Sequence, residues 1–215
     1  MKGLQNDRLC SSVSSRRPRF MLLIGISVCM LFALVLSAWS GNLPFRASAA
    51  SLAHASADSP AASYPIKVFF SKFPESVSTD FSAVYPVDRT SPTIAVGTFS
   101  IQLLIAGPTL SERQAGYFSE LNSILTGPSS CSAPFPTGGP DFKLTLNKRG
   151  SKDEQGTATV QFCRATSSPG IGADARIQAE ITATLKQFPS IKKVVILTVG
   201  GHCFGDESGK DSCLS

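Results

Sequence analysis

Short runs of β-branched and aromatic residues predict five strands in the chain after residue 63. Two of them, residues 66–72 and 81–87, are separated by a turn that contains Pro and Ser. Two more, residues 142–147 and 157–163, flank a charged, glycine-containing turn and predict a hairpin. The fifth, residues 194–199, is apolar without alternation, which is typical of a central strand buried on both faces.

Two longer segments between these strands have helical signals. The first begins at Ser91 and Pro92, a helix cap followed by a residue that fits the first turn, and it ends before Gly107. The second covers residues 172–187 and is stopped by Pro189. Its apolar residues recur every four positions and form one stripe: Ala173, Ile177, Ile181 and Leu185.

The main elements therefore follow the order β-β-α-β-β-α-β. A short helix or turn is also expected over residues 111–121, where Ser111 and Gln114 have the spacing of a capping box. Helices that interrupt groups of strands in this way are typical of α+β domains. We predict one α+β domain, with two main helices on a mixed β-sheet.

The N-terminal part of the chain predicts export. Residues 20–39 contain no charge, and a helix of this length crosses a hydrocarbon layer about 30 Å thick. The basic residues before it place the N-terminus in the cytoplasm and the following chain outside. Residues 47–49 and 55–57 have the small-x-small form of a signal-peptidase site. A transmembrane anchor and a cleaved signal peptide therefore remain alternatives, and the length of the apolar run favours the anchor.

Four segments follow from this organisation. Residues 1–19 form a basic cytoplasmic segment, residues 20–39 a transmembrane or signal-anchor helix, residues 40–63 an Ala- and Ser-rich tether, and residues 64–215 an exported domain. We expect the protein in the cell membrane with its C-terminal domain extracytoplasmic, or secreted if the signal is cleaved. The membrane would then be contacted through the N-terminal helix.

The charge distribution argues against nucleic-acid binding. The chain has a formal net charge of +5, but from Tyr64 onward 14 Lys and Arg stand against 13 Asp and Glu. The excess positive charge is in the N-terminal segment. Nucleic-acid binders carry a basic face on the folded module, and none is visible here.

Four cysteines lie in the exported domain: Cys131, Cys163, Cys203 and Cys213. An even number in an oxidising compartment favours two disulfides. Cys131 precedes the first strand of the predicted hairpin and Cys163 ends the second, while Cys203 and Cys213 are joined by a short glycine-rich loop. We therefore predict the pairs Cys131–Cys163 and Cys203–Cys213.

The C-terminal stretch GGHCFGDESGKDSC is also compatible with two other interpretations, a metal site and a hydrolytic site. His202, Cys203 and Cys213 could hold zinc, but thiolate ligands are oxidised outside the cytoplasm. Asp206 does not begin a calcium loop, because Lys210 stands where that loop needs a ligand. A Ser-His-Asp arrangement would need His202 to reach an aspartate and face a serine. We favour the disulfide, and expect no metal or cofactor.

Two separated motifs resemble the GerMN domain family of sporulation and germination proteins. LLIAGPTLSE, residues 103–112, resembles the family's LLxGPTxxE segment, and ATLKQFPSIKKVVI, residues 183–196, is similar to its second signature, a helix that ends in TLxQFP before a strand. The VFF strand of residues 68–70 also fits. The residues that carry the motifs are Leu103, Leu104, Gly107, Pro108, Thr109, Glu112, Gly116, Thr184, Leu185, Gln187, Phe188 and Pro189.

The resemblance implies a fold similar to the ring-building modules of bacterial envelope and secretion complexes. It also implies a scaffolding or assembly role without catalysis. Two features depart from the family: its proteins often carry a second module, and the basic motif has no cysteine-rich tail. We expect a non-enzymatic bacterial envelope protein that binds a protein partner or assembles with itself. The alternative is a secreted small-ligand-binding module or hydrolase.

Overall fold

The computed structural model describes residues 62–131 and 134–215. Five helices and eight strands are present in these residues, together with a 3-10 turn at Ser212–Leu214. The strands are β1 (Tyr64–Lys72), β2 (Tyr85–Ser91), β3 (Tyr117–Phe118), β4 (Leu125–Thr126), β5 (Phe142–Arg149), β6 (Lys152–Phe162), β7 (Ala165–Thr166) and β8 (Lys193–Leu197). The helices are α1 (Glu75–Ser78), α2 (Val96–Ala106), α3 (Leu110–Gln114), α4 (Leu121–Ile124) and α5 (Ile171–Lys186).

The strands form three sheets, so the α+β class is confirmed while the single mixed sheet is wrong. The first sheet has the antiparallel order β2-β1-β3, and the second contains only β4 and β7. The third has the order β5-β6-β8, with an antiparallel hairpin and a parallel β6–β8 pair. The third sheet alone is mixed, because the α5 crossover between β6 and β8 lets those two strands run in parallel.

β2 lies four residues later than the sequence pattern predicts. Its register against β1 pairs Phe70 with Tyr85 and Tyr64 with Ser91. Every residue of β2 except Ser91 is at least partly exposed. The charged C-terminal half of the strand therefore has the sequence pattern of a turn, although the whole strand pairs with β1. The start of α2 is also later than predicted, at Val96, because β2 extends to Ser91. Ser91 ends β2 instead of capping the helix, and its hydroxyl donates to the Thr93 carbonyl at 2.8 Å.

The expected strand over residues 194–199 is buried on both faces but is not central. β8 lies at one end of the third sheet. Its outer edge is closed by the C-terminal segment, because the Phe204 N–H donates to the Ile196 carbonyl and the Thr198 N–H to the His202 carbonyl. A short local chain thus takes the place of a neighbouring strand.

One main hydrophobic core joins the sheets and helices. The predicted stripe of α5 is confirmed, since Ile177, Ile181 and Leu185 are fully buried and Ala173 is 4% exposed. These side chains pack with inward-facing residues of β1, α2, α4 and the third sheet. A smaller cluster on the far face of β8 contains Val195, Leu197 and Cys203, with Cys213 and Leu214 packed against it.

In the residues that the structure describes, no helix is both long and apolar enough to cross a membrane. The expected helix over residues 20–39, the basic segment before it and most of the tether lie outside these residues.

Candidate binding groove

The second GerMN-like motif closes the edge of strand β1 with helix side chains. Gln187, just after α5, accepts the Lys67 N–H at 2.7 Å and donates to the Lys67 carbonyl at 2.6 Å. Thr184 accepts the Phe69 N–H at 3.1 Å. Four helix residues rise about 6 Å and two strand residues about 6.6 Å, so polar side chains spaced along α5 match alternate residues of β1.

Glu180 is the third side chain that accepts an N–H of β1, after Gln187 and Thr184. One of its carboxylate oxygens accepts the Ser71 N–H at 2.9 Å, and the other accepts the Ser119 hydroxyl at 2.7 Å. Its side chain is fully buried. Burial raises the pKa of Glu180 to about 7, against the lowering effect of these hydrogen bonds. The sequence gives one signal of this role: a polar stripe at i, i+4 and i+7 beside the apolar stripe.

The first GerMN-like motif fixes the connection between α2 and β3. Gly107 ends α2 with a φ of +80°, and Thr109 is the N-cap of α3. The capping box is formed by Thr109 and Glu112, so the predicted box of Ser111 and Gln114 is wrong. The Glu112 carboxylate also binds Arg89 of β2 at 2.7 Å. The hydrogen bond from Arg89 lowers the pKa of Glu112 to about 2.

Gly116 and Leu104 complete the structural role of the first motif. Gly116 has a φ of +91°, and its carbonyl accepts the Phe73 N–H at 2.9 Å. A Cβ at this position would lie 3.3 Å from the Phe73 carbonyl oxygen. Leu104 is fully buried in the main core. Gly107, Thr109, Glu112, Gly116 and Leu104 therefore hold the fold together.

The structure contains the two disulfides expected from the sequence. Cys131 is bonded to Cys163 with a Cα–Cα distance of 5.1 Å, and Cys203 to Cys213 with one of 6.0 Å. The sulfur of Cys203 lies near Asp206 and Asp211 in a group that could otherwise hold a metal. As a disulfide sulfur it offers no thiolate, and both aspartates accept backbone N–H groups of the loop. This geometry does not support the zinc reading.

The carboxylates of the C-terminal loop stabilise its turns. Asp211 accepts the Cys203 N–H at 2.7 Å and lies 2.9 Å from His202 Nδ1. The hydrogen bond to His202 lowers the pKa of Asp211. His202 therefore reaches an aspartate, as a hydrolase would require, but within the described residues no serine hydroxyl is hydrogen-bonded to its ring. The side chain of His202 is 73% exposed.

An apolar groove of about 730 Å³ opens at one end of the core. Its walls are residues 94–98, which lead into the first turn of α2, the middle of β5 (residues 143–146) and the segment 188–191 after α5, while residues 136–137 border the outer edge of β5. Ile94 is 81% exposed and Leu146 54% exposed. α2 approaches β5 closely at Gly97, where a Cβ would lie 3.3 Å from Leu144.

A second, more polar cleft of about 560 Å³ lies on the third sheet. It is lined by alternate residues of β5 and β6, by the hairpin tip and by the C-terminal segment. Lys143, Thr145, Thr159 and Gln161 contribute polar side chains. Lys143 and Thr145 also border the apolar groove, so the two concavities adjoin the same stretch of β5.

Sequence reasoning does not identify either concavity. Leu146 belongs to a regular strand alternation, and Ile94 lies among residues that the sequence assigns to a buried helix. What distinguishes these two residues is their exposure, which depends on what packs beside them. Phe188 and Pro189, known from the motif, do line the groove.

Comparisons with known proteins place this fold in a family. A profile of the Germane family, described as "Sporulation and spore germination", matches residues 67–202. Among curated proteins, none matches the chain. The crystal structure at 2.5 Å of a candidate lipoprotein from Clostridium perfringens is similar with 17% identity, a TM-score of 0.29, and coverage of 66% of this chain and 80% of that chain. The resemblance to GerMN domains is confirmed, and the chain belongs to the Germane family of sporulation and spore germination.

Proposed function

We propose that this chain is an exported bacterial envelope protein whose C-terminal domain acts by binding another protein, without catalysis. Membership of a sporulation and germination family supports an envelope role. The basic residues that precede the uncharged residues 20–39 support export and attachment to the membrane. Most of the motif residues that we locate stabilise the fold, while Phe188 and Pro189 line the apolar groove, and this distribution supports a binding role in preference to an enzymatic one.

The apolar groove is the observation that carries the binding role. Exposed aliphatic side chains grouped around a concave surface mark interaction sites, because leaving them in water is unfavourable. Ile94 and Leu146 are both exposed and border one groove. Burying them under a partner would contribute about 25 cal/mol for each Å² of apolar surface removed from water. The groove is therefore the surface that we assign to partner binding.

Site-specific photo-crosslinking in intact cells tests this role. A benzoylphenylalanine placed at Ile94 or Leu146 should form adducts with another protein. The same group at Ile171, which is 72% exposed at the start of α5 and outside the groove, is the matched control. Equal adducts at all three positions, or none at the groove, would contradict the proposal. Binding of an apolar small molecule without any protein adduct would favour the small-ligand alternative.

A further inference from the structure

We propose that the groove receives an extended peptide that pairs with the outer edge of β5, with apolar and acidic side chains in alternation. This inference rests on the proposed protein-binding function and names the chemistry of the partner. Such strand addition supplies affinity through main-chain hydrogen bonds and specificity through alternate side chains.

The outer edge of β5 is partly paired and then becomes open. The Leu144 N–H donates to the Thr137 carbonyl at 2.8 Å, and the Phe142 carbonyl accepts the Gly139 N–H at 2.9 Å. In an antiparallel ladder, alternate residues direct both main-chain groups to the same edge, so Leu146 shares the outward direction of Leu144. In the described part of the chain, no group outside the hairpin is hydrogen-bonded to the Leu146 backbone.

The other long sheet edges are closed or protected. Side chains of α5 and of Gln187 just after it occupy the edge of β1, and the segment after β8 bonds to the edge of that strand. β2 is an edge strand, but it carries Pro86, Asp88 and Arg89. Proline and charged residues are common protections against edge pairing. The exposed apolar residue beside an open edge therefore distinguishes β5.

The positions of the groove and the cleft explain why apolar and acidic side chains would alternate along the bound peptide. Successive side chains of an added strand point to opposite faces of the sheet. Because the apolar groove and the polar cleft adjoin the same stretch of β5, one set of side chains would enter the groove beside Leu146. The other set would face the cleft, where Lys143 and Lys148 lie.

The charge of β5 selects acidic residues for that second set. The strand contains Lys143, Lys148 and Arg149 and no acidic residue, and Arg149 is already paired with Glu154 of β6. Among the described residues Lys143 forms no ion pair, and Lys148 binds Asp153, whose side chain is 89% exposed. Antiparallel pairing of β5 with a second copy would bring these cations together, which is destabilising for directly opposed like charges. Charge complementarity thus favours a partner segment with Glu or Asp at alternate positions.

Binding of synthetic heptapeptides to the full-length chain tests the proposal. The probe alternates Val and Glu, and the matched peptide alternates Val and Lys; fluorescence anisotropy gives Kd for each. We expect the Glu peptide to bind about tenfold more tightly at low salt, since its contacts with Lys143 and Lys148 are attractive and those of the Lys peptide are repulsive. Hydrogen exchange at the Leu146 amide should slow when the Glu peptide binds. No preference between the peptides would overturn the proposal.

Two substitutions separate strand addition from other modes of binding. Leu146→Pro removes the outward N–H and should weaken binding at least tenfold, whereas Leu146→Val keeps it and should bind within about threefold of wild type. Lys143→Glu should reverse the preference toward the Lys peptide, which keeps the test valid if the proline variant does not fold. Unchanged binding by both Leu146→Pro and Lys143→Glu would overturn the inference, as would a dimer through β5. Adducts at Ile94 would still support the protein-binding groove in that case.

Discussion

A single buried acid, Glu180, couples the stability of the domain to pH. Its pKa of about 7 in the folded state lies above the 4.5 of an unperturbed glutamic acid. Between these pH values the folded state keeps a proton that the unfolded state has lost, so stability falls as pH rises. The favourable contribution is fully present below pH 4.5 and is lost as pH rises through about 7.

Glu180→Gln should remove this pH dependence. The amide oxygen can still accept the Ser71 N–H, and no charge needs to be buried. Between pH 5 and pH 8 the wild type should lose stability that the variant keeps. The difference in unfolding free energy, variant minus wild type, should therefore rise by an amount on the order of 3 kcal/mol. Urea unfolding at the two pH values measures the change. Parallel pH profiles for the two proteins would contradict the assigned protonation.

Leu185 tests the apolar stripe of α5. Its side chain is fully buried and packs within the main core. Leu185→Ala should lower the free energy of unfolding by about 2 to 5 kcal/mol through lost burial and a residual cavity. Ile171→Ala, on the same helix at an exposed site, is the control and should change it by less than about 0.5 kcal/mol. Equal midpoints for Leu185→Ala and wild type in denaturant unfolding would show that the stripe is misassigned.

At the scale of elements, α5 acts as a substitute strand for β1. Thr184→Val keeps the shape of the side chain but leaves the partly buried Phe69 N–H without its acceptor. We expect a cost of about 1 to 3 kcal/mol in unfolding free energy, the desolvation penalty of an unpaired donor. Thr126→Val, which removes a 3.3 Å hydrogen bond at an exposed site, is the control. A loss no greater than that of the control would mean that water satisfies the β1 edge.

The C-terminal loop is stabilised by its disulfide. Cys203 and Cys213 are ten residues apart and cover the far face of β8. Replacing both by Ala should cost roughly 2 to 3 kcal/mol by the loop-closure estimate. Thermal or urea unfolding of the oxidised proteins measures this cost. Free thiols at both cysteines in non-reducing peptide mapping, together with bound zinc, would reverse the assignment in favour of a metal site.

For the whole molecule, the main prediction is topological. The basic residues before the uncharged residues 20–39 predict that Tyr64 to Ser215 lies outside the cytoplasm. Protease added to intact spheroplasts should therefore digest or release the C-terminal domain, with a cytoplasmic protein as the protected control. If the domain resists digestion until the cells are lysed, the export prediction is wrong.

Local sequence patterns predict the elements whose signals repeat within one segment. The four-residue spacing of Ile177, Ile181 and Leu185 identifies α5, because a helix places them on one face whatever packs against it. The hairpin of β5 and β6 follows from two strand-like runs around a turn. The pairing of cysteines follows from proximity along that hairpin and along the short C-terminal loop.

By itself, the sequence determined the family, the α+β class, the order of the main elements and the stripe of α5, since these depend on periodicity and short motifs. The tertiary structure alone decided the register of β2, the division into three sheets and the exposed positions of Ile94 and Leu146. It also decided that Glu180, Thr184 and Gln187 close the edge of β1. These features join residues more than a hundred positions apart in the case of β1 and α5, and such contacts depend on packing across the whole domain, which no local pattern encodes.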